Sequence, residues 1–407
     1  RDRLRSRGLG DVYKRQLCYG WIYMEAHDLE RIDIQMTYGQ LDTEEIRRFR
    51  ETIAREKLEK WYQDLTDEYY KWVSYQLAWR KERNASMETL EFPFPYRKGQ
   101  REMVAGVYHA ISEEAQIFIQ APTGIGKTMS AIFPAVRAVG QGKGETVFYL
   151  TARTITRTVA EDAFSILRGK GLHFKSITIT AKEKMCFCDE MDCDPQKCPY
   201  AKGHYDRIND AVYELWTKEE AFDRETILAQ AEKYSVCPFE ITLDLAVWMD
   251  GIVCDYNYVF DPNVYLKRFF GENIKGKYLF LIDEAHNLVD RGREMYSASL
   301  CKEEIESTRR FVRAHSSRLY RMLGKAAKQL EVLKEESSSS WQVLENAGTL
   351  PVTLLSIQGE MDKLLEEPPS QEFVDGILEF YFAVRDFLNI AELVDENYVT
   401  YVSTDED

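Results

Sequence analysis

The chain has 407 residues, 44% of them hydrophobic, and a formal net charge of −15, which is enough material for several domains with cores of their own. No run approaches the ~18 apolar residues of a membrane helix and no secretory signal opens the chain, so the cytoplasm is the expected location. The acidity does not exclude a polyanionic partner, because residues 335–407 hold 17 acidic and 2 basic residues and residues 1–334 hold 51 of each sign.

Residues 1–16, RDRLRSRGLGDVYKRQ, are basic, poor in apolar residues and unlike the chain from residue 17 onward, so they are read as a non-native leader and set apart from the fold. Residues 17–40 suggest a helix followed by the strand IDIQMTY. Residues 43–82 suggest a helix opened by the capping pattern Thr43, Glu44, Glu45, Ile46. Its aromatics, Trp61, Tyr62, Tyr69, Tyr70, Trp72 and Trp79, are expected to form a packed face, weighed against a surface on which bases stack. Two prolines in Phe92–Gln100, FPFPYRKGQ, mark a linker into a new domain.

The apolar run Ile117-Phe118-Ile119 is expected to be a buried strand, and Ala121–Thr128 behind it reads APTGIGKT. A glycine turn into a helix N-terminus aims several unpaired N–H groups at one point, where the helix dipole also favours an anion. In this P-loop Gly124 and Gly126 let the backbone close on a phosphate, Lys127 reaches the β- and γ-oxygens, and the Thr128 hydroxyl ligates Mg²⁺. Thr123 and Gln100 complete the expected nucleotide-contacting set. The alternative is a chance glycine-rich turn. A helix kinked at Pro134 follows, then GETVFYLTART, whose turn at Thr151–Arg157 suits either phosphate contacts to a second polyanion or an ordinary helix cap with solvated arginines. Lys277–Leu288, KYLFLIDEAHNL, is a short apolar strand that delivers Asp283 and Glu284 at its C-terminal end, where α/β sheets place their chemistry. Asp283 would hold Mg²⁺ through water, and Glu284 would orient and deprotonate the water that attacks the γ-phosphate. His286 is expected to link nucleotide state to a polymer site, against the alternative of a packed core histidine.

Of eight cysteines, four (Cys186, Cys188, Cys193 and Cys198) fall within thirteen residues, and Cys237 comes later in the chain. Without an export signal such crowding reads as metal ligation rather than disulfides, although unligated thiols would simply be inert. Spacing alone leaves zinc and an iron-sulfur cluster equally open. Cys254, in an apolar run, is expected to be a buried core thiol. From Val289 onward the pattern is helical over Lys302–Lys334, Val352–Glu367 and Gln371–Leu393, broken at Ser337–Ser340 and Pro368-Pro369, and it ends at YVTYVS, a strand expected to lack its partner.

With APTGIGKT, TARTITRTVAEDA and DEAH in this order, the chain resembles superfamily 2 helicases. The cysteine segment KEKMCFCDEMDCDPQKCPY between them makes it similar to the XPD/DinG family of iron-sulfur DNA helicases. The resemblance implies an α/β fold: a RecA-like parallel sheet (residues 91–180 and 240–292), an iron-sulfur insert (181–239), an incomplete helical arch (293–407) and, at 17–90, the α/β remnant of a RecB-like nuclease module. It implies a 4Fe-4S cluster on Cys186, Cys193, Cys198 and Cys237, with Cys188 able to replace Cys186 or Cys193. ATP and Mg²⁺ are the other implied cofactors; Lys127, Asp283 and Glu284 would be catalytic. The implied function is ATP-driven translocation, 5′ to 3′, on single-stranded DNA or DNA with a single-stranded tail, by a monomer. The second RecA-like domain is expected to be missing before Asp407, leaving this part of the protein inactive by itself. The rivals are a non-catalytic, metal-stabilised nucleic-acid-binding module and an RNA-directed DEAH-box ATPase.

Overall fold

The computed structural model describes residues 2–40, 45–122, 124–152, 154–189, 191–335 and 341–403. Thr43, Glu44, Thr123, Arg153 and Ser337–Ser340, named above, lie outside the described residues.

The chain opens with helix α1 (Asp2–Ala26), so its backbone runs through the stretch set apart as a leader. A hairpin of β1 (Arg31–Gly39) and β2 (Ile46–Ala54) follows, antiparallel from Arg31↔Ala54 to Gly39↔Ile46. The helix expected over residues 43–82 therefore starts only at Arg55, as α2 (Arg55–Glu88). Cross-strand partners override the local helical pattern: Thr52 donates to Asp33 directly opposite, and Tyr38 meets Phe49 edge-on at 5.4 Å. Leu17, Met24, Ile34, Ile53 and Leu58 close a small core between α1, the hairpin and α2.

The 34 residues of α2 reach about 51 Å, far enough to leave this module and lie along the main domain. There the packed-face expectation holds for Trp72 and Trp79, while Tyr69 and Tyr70 stay exposed. Trp72 stacks on Trp216 at 5.6 Å and lies 5.0 Å from Trp248. The buried Asp250 carboxylate accepts from Trp79 Nε1 (3.0 Å), Arg83 Nη1 (2.5 Å) and the Lys175 N–H (2.9 Å). Lys175 Nζ sits 4.2 Å from the Trp79 ring centre, and burial pushes its pKa down to about 8.

The main domain is a five-stranded sheet in the order β5-β4-β6-β3-β7, parallel at each pairing: β3 (Thr146–Leu150), β4 (Ser176–Thr178), β5 (Ala221–Phe222), β6 (Gly251–Cys254) and β7 (Tyr278–Ile282). Strands buried on both faces read as continuous apolar runs, as VFYL and GIVC do. Helices α3 (Gln100–Ser112), α4 (Lys127–Gly140) and α5 (Thr154–Arg168) accompany it; α4 runs unbroken through Pro134. Helices α6 (Lys182–Met185), α7 (His204–Lys218), α8 (Arg224–Tyr234) and α9 (Pro238–Ala246) carry the cysteine segment; Ile208, Trp216 and Ile227 share one core with Phe148 and Ile252 of the sheet. Short helices α10 (Asn257–Phe260) and α11 (Lys267–Phe270) lead to β7, and α12 (Leu288–Met295) leaves it.

Ile117-Phe118-Ile119 is not the buried strand expected. It joins no sheet, Phe118 is 88% exposed, and β7 hydrogen-bonds to β3 alone among the described residues. Three apolar residues between Gln116 and Gln120 bury too little surface to fix a strand without a ladder on either side.

Beyond α12 the helix expected over Lys302–Lys334 is two, α13 (Lys302–Val312) and α14 (Ser317–Glu335). The Ser316 hydroxyl accepts from the Leu319 N–H and caps the second, a local bond that competes with continuing the first. Helices α15 (Leu350–Glu366) and α16 (Gln371–Leu393) complete a four-helix layer around Ile305, Leu323, Leu354 and Ile377. The strand at YVTYVS has its partner within the chain: β8 (Trp341–Leu344) pairs antiparallel with β9 (Thr400–Ser403). Among the described residues no helix is long and apolar enough to cross a membrane.

Candidate nucleotide and nucleic-acid sites

The P-loop arrives as coil and is held from outside. Gly124 (φ 82°) and Gly126 (φ 84°) take left-handed conformations that side chains with a Cβ rarely adopt, and Gly126 caps α4. Gln100, 4% exposed, donates from Nε2 to the Ile125 carbonyl (2.9 Å) and accepts at Oε1 from the Arg97 N–H (3.0 Å). A Cβ on Gly126 would stand 2.8 Å from that Nε2. The Arg97 guanidinium donates to the Gly124 carbonyl. Gln100, expected to contact nucleotide, thus spends its amide on the loop itself; Arg97 escaped notice because its partner is 27 positions away and no motif marks it.

Opposite the loop, parallel pairing of β3 with β7 carries Asp283 and Glu284 to the C-terminal edge of the sheet. Lys127 Nζ lies 3.2 Å from Glu284 Oε1. Glu284 has φ 50°, a left-handed conformation in a non-glycine residue and so a point of backbone strain. Its other oxygen is 3.4 Å from His286 Nδ1, and His286 is exposed rather than in the core. Burial, then the Glu284 charge, holds the Asp283 carboxyl above the usual range, against the pull of Lys127. Tyr149 bonds to Asp283 and reaches the Thr128 hydroxyl at 3.4 Å; Tyr256 donates to the Asp283 and Glu284 carbonyls. The structure thus brings Lys127, Thr128, Asp283 and Glu284 together, 157 positions apart at the extreme, and adds two tyrosines that the sequence did not single out.

At the next βα turn Thr151 is buried and its hydroxyl meets that of Thr156, so it faces inward. Arg157 instead lines a cleft of ≈ 690 Å³ with Lys182, Lys267, Arg268 and Arg291. Asp255 lies 3.5 Å from Arg157 and 3.6 Å from Arg291. Each arginine keeps a buried Nε without a partner.

The thiols are partly gathered. Cys188 Sγ is 4.0 Å from Cys198 Sγ, and burial, then Cys198 and Cys186, raise its pKa. Cys237 begins α9, where the N–H groups of Phe239 and Glu240 point at its sulfur and partly offset the effect of burial. The donor chemistry suits a thiolate-bound metal, but no group of three His, Cys, Asp or Glu among the described residues is arranged to hold an ion. Cys254 is fully buried on β6, as expected.

Two family models match: the DEAD/DEAH box helicase family over residues 97–219 and DEAD_2 over residues 173–305. The chain is 33% identical over 90 residues to the Fanconi anemia group J protein homolog of Gallus gallus (22% of this chain, 7% of that protein). It is 21% identical over 327 residues to regulator of telomere elongation helicase 1 of Bos taurus (67% and 26%) and 22% over 328 residues to that of Homo sapiens (67% and 26%). The chain thus spans 7% to 26% of the length of these relatives. Among solved structures it is similar to one titled Truncated XPD (TM-score 0.46, 17% identity, 74% of this chain and 83% of that one). A second, titled XPD_Helicase, has the same score and identity over 76% of this chain and 53% of its own.

Proposed function

From a chain that carries the helicase domains of an XPD/DinG-like superfamily 2 protein, we propose an ATP-dependent DNA helicase that couples ATP hydrolysis to 5′ to 3′ movement on single-stranded DNA. The observation that carries this is the meeting of Lys127 with Glu284, beside Asp283 and Thr128, at one edge of the sheet. Lys127 would leave Glu284 for the β- and γ-phosphates; Thr128 and Asp283 would hold Mg²⁺, whose charge relieves the cost of ionising buried Asp283; Glu284 would then take the proton of the attacking water. Gly124 and Gly126 would present N–H groups to the phosphates, with Thr123 contributing from the same loop.

The cleft lined by Arg157, Arg291, Lys182, Lys267 and Arg268 supports a nucleic-acid backbone as the polymer, since cationic side chains suit phosphate oxygens. Cys186, Cys193, Cys198 and Cys237 are proposed to hold a 4Fe-4S cluster in the domain assigned to residues 181–239; the crowding of Cys188 on Cys198 keeps Cys188 as the alternative ligand. The cluster would tie the cysteine segment to α9 and so shape one wall of the cleft. Residues 293–407 are proposed as the arch, and 17–90 as part of a nuclease-like module.

The test is binding of a labelled single-stranded oligonucleotide as salt is raised. The affinity should fall steeply with salt, and Arg157→Ala with Arg291→Ala should flatten the dependence. Salt-independent binding, or none, would remove the polymer from this account.

A further inference from the structure

The helical layer has a second cleft, of ≈ 690 Å³, far in sequence from every nucleotide-site residue. Arg321, Lys325 and Lys328 of α14 line it together with Arg309 of α13, and none of the described residues lining it is acidic. Charge is segregated along this part of the chain: residues 309–334 hold eight basic residues and one acidic, whereas residues 335–407 hold 17 acidic and 2 basic. Arg321, Lys325 and Lys328 repeat at helical spacings of four and three, so they stand on one face and repel one another, an arrangement that a bound anion would stabilise. The carboxylate next to them on this helix, Glu331, feels the Lys328 charge but is bonded to Lys302 at 2.7 Å.

The remaining wall is built closely. Gly324 lets Arg309 lie against α14, since a Cβ there would stand 3.0 Å from Arg309 Nε. One edge of that guanidinium bonds to Glu306 at 3.0 Å and its face covers Tyr320 at 4.5 Å, while Nε is buried without a partner. Gln329 donates from Nε2 to Thr349 Oγ1 at 2.7 Å and leaves a buried Oε1 unpartnered. Gly348 and Thr349, at the start of α15, close the cleft from the opposite side, where the helix dipole adds to the positive field.

We propose that this cleft binds phosphate groups, at a site separate from the P-loop and independent of the helicase assignment. Two sources carry that chemistry: the backbone of a nucleic-acid strand and a free polyphosphate. The test uses the whole chain with Lys127→Ala, which removes the competing loop lysine, and compares it with the same chain also carrying Lys325→Gln and Lys328→Gln. Both added positions are exposed, and a far-ultraviolet melting curve checks that the fold is kept.

A strand is the source if single-stranded oligonucleotide binding weakens roughly tenfold and its log-log salt slope falls by about 1.4, the value for two lost contacts to single-stranded phosphates. A free polyphosphate is the source if inorganic pyrophosphate binds and the two substitutions abolish that binding. Gly324→Ala, which displaces Arg309, should weaken whichever ligand binds. The proposal is overturned if the folded triple variant binds both probes as the single variant does, or if the single variant binds neither.

Discussion

Gln100→Ala separates two roles for the residue that anchors the P-loop. The amide makes two neutral hydrogen bonds in a buried setting, to the Ile125 carbonyl and from the Arg97 N–H. Each contributes a net ~0.5–1.5 kcal/mol, so their loss would cost the ordered loop about 1–3 kcal/mol. If binding must restore that order, affinity falls by roughly 5- to 150-fold. The loop contacts phosphates, so the loss should be equal for MgATP and magnesium pyrophosphate measured by titration calorimetry. A loss confined to MgATP, with pyrophosphate unchanged, would refute the reasoning and show that the amide reads the base.

Arg83→Ala should lower stability by about 3–5 kcal/mol in urea unfolding, because it strands the Asp250 carboxylate in the interior; a change under about 1 kcal/mol would mean that α2 is not docked as described. Lys175, charged in the unfolded chain up to about 10.5 and in the folded one only to about 8, binds fewer protons when folded. Stability should therefore rise between those pH values, by up to about 3 kcal/mol, and Lys175→Met should flatten that rise; parallel pH curves for the two proteins would contradict it. Anaerobically purified protein should contain about four irons per chain, lost in Cys198→Ser and kept in Cys254→Ser; stoichiometric zinc without iron would end the cluster proposal.

What the sequence made legible was local. Glycines, a lysine and a threonine in consecutive positions, and a carboxylate pair behind an apolar strand, carry their chemistry within a few residues of chain, and parallel strand pairing brings the two motifs to one edge. What it concealed depended on distant partners. β2 reads as helix until β1 lies beside it, and Ser316 divides a helix through one hydroxyl. YVTYVS pairs with a strand 59 positions earlier in the chain, counted between Trp341 and Thr400. Ile117–Ile119 shows the converse: an apolar run is a strand only if a neighbouring strand receives it, and here the side chains of Arg97 and Gln100 hold the loop in its place. The cysteines were legible as a group, while the approach of Cys188 to Cys198 was not, because the loop between them sets it rather than spacing.

The central claim is that Lys127 holds the nucleotide while Glu284 acts on water, although the two are paired at 3.2 Å in the structure. MgATP affinity of the unaltered chain, Lys127→Ala and Glu284→Gln decides it. Lys127→Ala removes charge-assisted bonds of ~1.5–3 kcal/mol and should weaken binding roughly 10- to 150-fold. Glu284→Gln frees Lys127 from its partner and should bind as tightly as the unaltered chain or more so. Equal loss in both variants, or no binding by the unaltered chain, would contradict the assignment.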